Sequence, residues 1–132
     1  MKKTLYMTFL FLFELILFSC ASGSAIVTGP LRSATKPETV VVYSEPPKNY
    51  EVIGIVSASS DAGLTQQSSL NYALEELKKQ AARIGANGII IENINTSNNG
   101  GVIVGNIWVN VTSQNVSGKA IYVYPEDDLF AY

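Results

Sequence analysis

The stretch YEVIGIVSASSDAGLTQQSSLNYALEELKKQAARIGANGIIIENI, Tyr50 to Ile94, decides the fold because it reads as strand, helix, strand. Leu70, Ala73, Leu74, Leu77, Ala81 and Ile84 recur at the i, i+3, i+4, i+7 spacing of one helix face. Thr65 is the preferred N-cap, with Ser68 the alternative if the helix starts a turn later. Ile84 ends the helix, and Gly85 supplies the left-handed residue that follows many helix C-termini. Glu75 and Lys79 form an i, i+4 pair in the favourable order, and Lys78, Lys79 and Arg83 sit near the negative end of the helix dipole. These charges make a solvated face.

On either side of the helix the β-branched runs Tyr50 to Val56 and Gly88 to Ile94 read as strands, expected to be parallel neighbours or close to it. Thr39 to Ser44 reads as an earlier strand, separated from Tyr50 by the turn Glu45-Pro46-Pro47-Lys48-Asn49. Ser57 to Leu64 is expected as a loop. Beyond Ile94, Ser97-Asn98-Asn99-Gly100-Gly101 is a turn signal, followed by strands at Val102 to Thr112, with a bulge at Gly105, and at Lys119 to Tyr124. Ser113 to Gly118 is the turn between them. The expected fold is α+β, a mixed sheet of about five strands with one main helix on one face, in the order β-β-α-β-β-β.

Val40 to Val42, Val52 to Val56 and Ile89 to Ile91 lack polar alternation, which suits strands covered on both sides. One helix covers only one side. Self-association or docking onto a partner is therefore expected to cover the other.

At the N-terminus Lys2 and Lys3 precede an apolar run from Leu5 to Phe18, shorter than the roughly 20 residues that span a bilayer. Residues 1–19 read as a secretory signal, although Glu14 falls inside the apolar run. Leu17-Phe18-Ser19-Cys20 resembles a bacterial lipobox, apart from Phe18 where a small residue is usual. The resemblance implies a membrane anchor of acyl chains such as palmitate on Cys20, the first mature residue. Cleavage after Ala21 by ordinary signal peptidase is the alternative. Ala21, where an Asp would retain the protein in the inner membrane, resembles lipoproteins sent to an outer membrane and facing the periplasm, in a cell that has one. Residues 20–38 then form the lipidated Cys and a polar tether, with Ala25-Ile26-Val27 packing onto the domain as the alternative. The α+β domain covers 39–124 and an acidic tail 125–132.

Cleavage before Cys20 removes Lys2, Lys3 and Glu14 from 9 basic and 11 acidic side chains, leaving seven and ten and a net charge of −3. Such a weakly acidic chain has no electrostatic reason to bind nucleic acid or an anionic lipid surface.

The V-I-G-I-V-S-A strand, the helix with E-E-L-K-K-Q-A-A-R and the following I-G-A-N-G-I-I-I resemble the YbjQ-like group, which carries a heavy-metal-binding label, and the RcsF-like outer-membrane lipoproteins. The second resemblance implies envelope stress sensing through protein contacts. Gly85-Ala86-Asn87-Gly88 and Ala81-Ala82 are its most specific residues, small enough for the helix to lie close to the strand, with Gly85 and Asn87 making the turn. The RcsF-like disulfides have no counterpart, since Cys20 is the one cysteine. The metal label lacks ligands too: there is no histidine, and Met1 and Met7 lie in the signal. No cofactor is expected. Glu126, Asp127 and Asp128 could hold a hard cation only as an unspaced cluster, and a solvated tail is the preferred reading.

Without histidine or a free thiol, no Ser-His-Asp or Cys-His site can be built. Glu51 and Glu92, near strand ends, are the remaining carboxylate pair and the basis of a rival reading as a hydrolase of cell-wall sugars. Ser57, Ser59 and Ser60 before a helix start suit capping better than anion binding. In Asn106-Ile107-Trp108-Val109-Asn110-Val111, Ile107, Val109 and Val111 are expected on the core side. Trp108 then faces outward between Asn106 and Asn110, a candidate contact surface. The expected function is that of a cell-envelope lipoprotein working by protein contact as sensor, adaptor or assembly subunit, with a purely structural oligomer as a further alternative.

Overall fold

A computed structural model describes residues 1–14, 21–61 and 65–125. Cys20 and the acidic residues at 126–128 lie outside the described residues. The elements run α1 (Lys2–Glu14), β1 (Ala21–Val27), a 3-10 turn (Pro37–Thr39), β2 (Val41–Tyr43), β3 (Tyr50–Ser60), α2 (Gln66–Arg83), β4 (Gly88–Val104) and β5 (Ile107–Val123). No helix among the described residues is long and apolar enough to cross a membrane.

The fold is α+β, with one sheet in the order β1-β3-β5-β4-β2. It is mixed: β2 runs parallel to β4 and every other pair is antiparallel. β3 and β4 are parallel to each other, with β5 between them. Three strands precede α2 and two follow it, so the order is β-β-β-α-β-β. The extra early strand is β1, and the strand expected at Val102 to Thr112 is divided by a reversal at Gly105-Asn106, its first three residues ending β4 and the rest running on through Lys119 as β5.

Helix α2 starts at the expected cap. The Thr65 side chain accepts from the Ser68 N–H, and the Thr65 N–H donates to Ser68 Oγ, a reciprocal capping box. Its apolar stripe is buried on the sheet, with Ala73, Leu77 and Ala81 fully buried among Ile53, Val56, Ile89 and Ala120. Burying one such leucine contributes about 1.5 to 3 kcal/mol. After the cap at Ile84, Gly85 takes φ of 88°. Asn87 does not make the turn by a left-handed backbone. Its side chain acts as a piece of strand, the Nδ2 donating to the Val123 carbonyl at 2.9 Å and the Oδ1 accepting from the Val123 N–H at 2.7 Å.

The segment expected as a tether is part of the domain. β1 pairs with β3 along its whole length, from Ala21↔Ser60 to Val27↔Gly54. Beyond β1, the N–H groups of Thr28 and Gly29 both donate to the Ile53 carbonyl, and the Thr35 N–H donates to the Ala82 carbonyl at 2.9 Å. That last bond adds a second donor to a carbonyl of the last α2 turn, which also accepts from the Gly85 N–H, and it ties a segment without periodicity to the helix end. Val40, at its end, is buried.

Residues directly opposite in a sheet share a side. The helix side holds Gly23, Ala25, Val56, Ala58, Val116, Gly118 and Ala120. The other side holds Ser22, Ser24, Ile26, Ile55, Ser57, Ser59, Asn115, Ser117 and Lys119. This open side is therefore polar from Ser24 and Ser57 toward Ser22 and Ser59, and the expected apolar second face is confined to the rows around the exposed Ile26 and Ile55. Two physical features account for the missing alternation. A register shift between Val52 and Gly54 places Ile53, Gly54 and Val56 all inside, and another lies between Ile91 and Asn93. Ile90 and Ile121, both buried, are covered from within the chain. Tyr43 is the direct neighbour of Ile90, and its ring and Ile121 flank Gly88.

Candidate functional site

Ala21, Ser60, Gln114 and Thr96 form the last row in which β1, β3, β5 and β4 lie side by side. Past that row β4 and β5 continue alone as a two-stranded ribbon, paired from Ser97↔Ser113 to Val104↔Ile107. The reversal is at Gly105-Asn106, where Gly105 has φ of 65°, as a glycine in the first position of a two-residue hairpin loop does. The turn expected at Ser97 to Gly101 is instead part of the ribbon, with a register irregularity between Asn98 and Gly101, and residues 113–118, expected as another turn, are continuous strand. At about 3.3 Å per residue the ribbon reaches roughly 25 Å beyond the row.

Among the described residues no neighbouring strand lies beside this ribbon, and the apolar side chains described on it meet no core. Ile103, Ile107 and Trp108 are 70%, 69% and 61% exposed, and Val109 is exposed too. The expectation that Ile107 and Val109 face the core is thereby overturned, because β3 stops at Ser60 and α2 covers only the rows below. Trp108 is outward as expected. Its Nε1 donates to Asn110 Oδ1 at 2.8 Å, and its indole lies against the backbone of Gly101, where a Cβ would collide with the ring. Asn106 stands apart at the exposed tip. The structure thus joins Trp108 to Asn110 and leaves Asn106 at the turn.

The open side of the sheet offers a second surface. Ser22 Oγ and Ser59 Oγ are 3.1 Å apart, Ser24 Oγ and Ser57 Oγ 2.8 Å, and Asn115 Nδ2 donates to Ser97 Oγ at 2.8 Å. Ser22, Ser24, Ser57, Ser59 and Asn115, together with Asn95 and Ser117, line a shallow groove of about 330 Å³. Its lining contains hydroxyls and amides and no charged group. Ser57, Ser59 and Ser60 therefore stand on a strand, not in a loop before the helix. Hydrogen bonds to Ser24 and Ser22 on β1 explain Ser57 and Ser59, Ser60 is buried opposite Ala21, and Thr65 with Ser68 does the capping assigned to them.

The two candidate carboxylates are not brought together. Glu51, on β3 opposite Tyr122, accepts from Arg32 Nη2 at 3.0 Å and from the Tyr124 hydroxyl at 2.8 Å, and Arg32 Nη2 also donates to the Tyr124 oxygen at 2.8 Å. The Tyr124 hydrogen bond, reinforced by Arg32, holds the Glu51 carboxyl below the ordinary glutamate range. The same bond to Glu51 pushes the Tyr124 hydroxyl above the usual phenol value. Glu92 pairs instead with Lys119 at 2.8 Å, which raises the Lys119 ammonium above its ordinary value. Lys119 lies on the open side, whereas Tyr122 packs against the helix-side core. Each glutamate neutralises a different cation on a different side of the sheet.

The Arg32, Glu51, Tyr122 and Tyr124 cluster had no local signal, since Arg32, Glu51 and the tyrosine pair come from three distant stretches of sequence. The groove did have one: the alternate polar positions Ser57, Ser59 and Ser113, Asn115, Ser117 carry the period of two that marks a solvated strand face. Among the described residues no group of three or more His, Cys, Asp or Glu is placed to hold a metal ion.

No family model and no curated protein matches the chain. The chain is similar to a solved structure, the crystal structure of a Francisella virulence factor, FvfA, at 21% identity with a TM-score of 0.51. The match covers 75% of this chain and 96% of that one, and it concerns the fold.

Proposed function

We propose that the chain is an exported lipoprotein of the cell envelope, held to a membrane by acyl chains on Cys20, whose domain works by contact with an envelope protein or a second copy and not by turnover. The observation that carries this reading is a pair of uncovered surfaces, the neutral groove of Ser22, Ser59, Asn115 and Ser117 on the open side, which suits a protein partner, and the ribbon. An element with exposed Ile103, Ile107, Trp108 and Val109 and no core of its own is marginal in water and gains stability from a surface it touches. The lipobox-like residues Leu17 to Cys20 and the resemblance of Tyr50 to Ile94 to RcsF-like lipoproteins, with their sensing role, support the same reading. Glu51 and Glu92, each tied to its own cation, give the rival hydrolase no specific support.

Two measurements test it. Cys20→Ser is expected to move the exported protein from the membrane fraction to the soluble fraction; retention on membranes after signal cleavage counts against the anchor. Photo-crosslinkers placed at Ser117 on the open side and at Trp108 on the ribbon are expected to give a discrete adduct in intact cells from at least one position. Purified protein that hydrolyses cell-wall sugars, with loss of turnover in Glu51→Gln and Glu92→Gln, would replace the contact reading.

A further inference from the structure

The row Ala21, Ser60, Gln114, Thr96 marks one end of the sheet, and two features meet there. The chain enters β1 at Ala21, one residue after Cys20, so an anchor on Cys20 has no tether: the first mature residue after it is already hydrogen-bonded strand. The ribbon leaves the sheet past the same row and in the same direction, for roughly 25 Å at about 3.3 Å per residue. A leaflet that holds acyl chains at Cys20 therefore lies where the ribbon projects.

The composition of the ribbon fits that location. From Asn93 to Gly118 the sequence NINTSNNGGVIVGNIWVNVTSQNVSG has no charged residue. Its distal part carries the exposed Ile103, Ile107, Trp108 and Val109, and Trp is the side chain most at home where headgroups meet acyl chains. The amides and hydroxyls nearer the body, such as Asn95, Thr96 and Asn98, suit the headgroup layer. Beyond the row both outer edges of the ribbon lack a strand partner among the described residues, and unpaired backbone groups are not tolerated in the hydrocarbon core. The ribbon is thus suited to lying in the interfacial layer and not to spanning the bilayer.

We propose that the ribbon tip around Trp108 docks into the interface of the same leaflet that holds the Cys20 acyl chains, a second membrane contact that fixes the domain's orientation. The Ser and Asn groove is then turned along the membrane surface, where a protein partner reaches it. This inference rests on lipidation of Cys20, and the test separates the two.

Trp108 is the one tryptophan, so its fluorescence reports on the ribbon alone. The full exported chain is reconstituted in vesicles of phosphatidylethanolamine and phosphatidylglycerol, and mass spectrometry of its N-terminus establishes whether Cys20 is acylated. An unacylated Cys20 removes the anchor and, with it, this inference. For the acylated chain, emission is expected to shift to shorter wavelength and to be quenched by lipids brominated near the headgroup end of their acyl chains. Ile103→Asp is expected to abolish both effects while the chain remains vesicle-bound and keeps its far-ultraviolet circular dichroism. Emission of the acylated chain that stays water-like and unquenched overturns the proposal. So does a shift that depends on protein density and ignores brominated lipid, which assigns the ribbon to a second copy.

Discussion

Arg32 sits over the ring of Tyr122 with its guanidinium carbon 3.9 Å from the ring centroid, while its Nη2 reaches Glu51 and the Tyr124 hydroxyl. Tyr122 and Tyr124 are themselves in edge contact at 5.2 Å. One side chain from the segment after β1 is thereby fastened to β3 and to the end of β5. Arg32→Lys keeps the charge but not the planar group that serves an aromatic face and two oxygens together. It is expected to lower the thermal midpoint and to open residues 28–36 to protease before the rest of the domain. Limited proteolysis with mass mapping checks this; cleavage unchanged from wild type would show that Thr28, Gly29 and Thr35 hold the segment unaided.

The same cluster makes stability depend on pH at both ends. Glu51 has its folded pKa lowered, so its contribution is present above the ordinary value of about 4.3 and is lost as pH falls through the depressed folded value. Tyr124 has its folded pKa raised, so its contribution is present below about 10 and is lost as pH rises through the raised folded value. Glu51→Gln is expected to flatten the acid limb of a plot of thermal midpoint against pH. A limb as steep as that of wild type would place the acid sensitivity in other carboxylates.

Gly54 allows β1 to approach β3. A Cβ there would collide with the Ile26 carbonyl oxygen and come within 2.9 Å of Ile84 Cδ1. Gly54→Ala is expected to destabilise the domain by about 1 to 3 kcal/mol, the usual range for overpacking a tight site. Hydrogen exchange should show the loss first at residues 21–27. Uniform exchange across the sheet would mean that β1 and the remaining strands open as one unit.

For α2, packing should outweigh capping. Leu77→Ala removes a fully buried side chain and is expected to cost about 2 to 5 kcal/mol. Thr65→Ala removes one half of the capping box and is expected to cost about 1 kcal/mol. Urea denaturation of the two variants decides the order; a larger loss for Thr65→Ala would make nucleation of the helix, and not its burial, the limiting contribution.

The α+β class, the limits of α2 and its buried stripe follow from the chain's own sequence. Helical spacing, the Thr65 cap and Gly85 act within one or two turns and need no distant partner. Strand limits were less legible. Ser97 to Gly101 has turn chemistry but is absorbed as a register irregularity, because pairing with β5 on either side of it is worth more than the local preference. Residues 21–38 have no pattern at all, yet they supply an edge strand, a bond to the α2 C-terminus and Arg32.

Only the tertiary structure decided that β5 inserts between β3 and β4, that serines of β1 and β3 face each other across a neutral groove, and that the Trp108 ribbon leaves the sheet at the end where Ala21 begins. Each of these depends on which residues far apart in sequence become neighbours. That choice is set by the register of whole strands, a property to which no single segment holds the key.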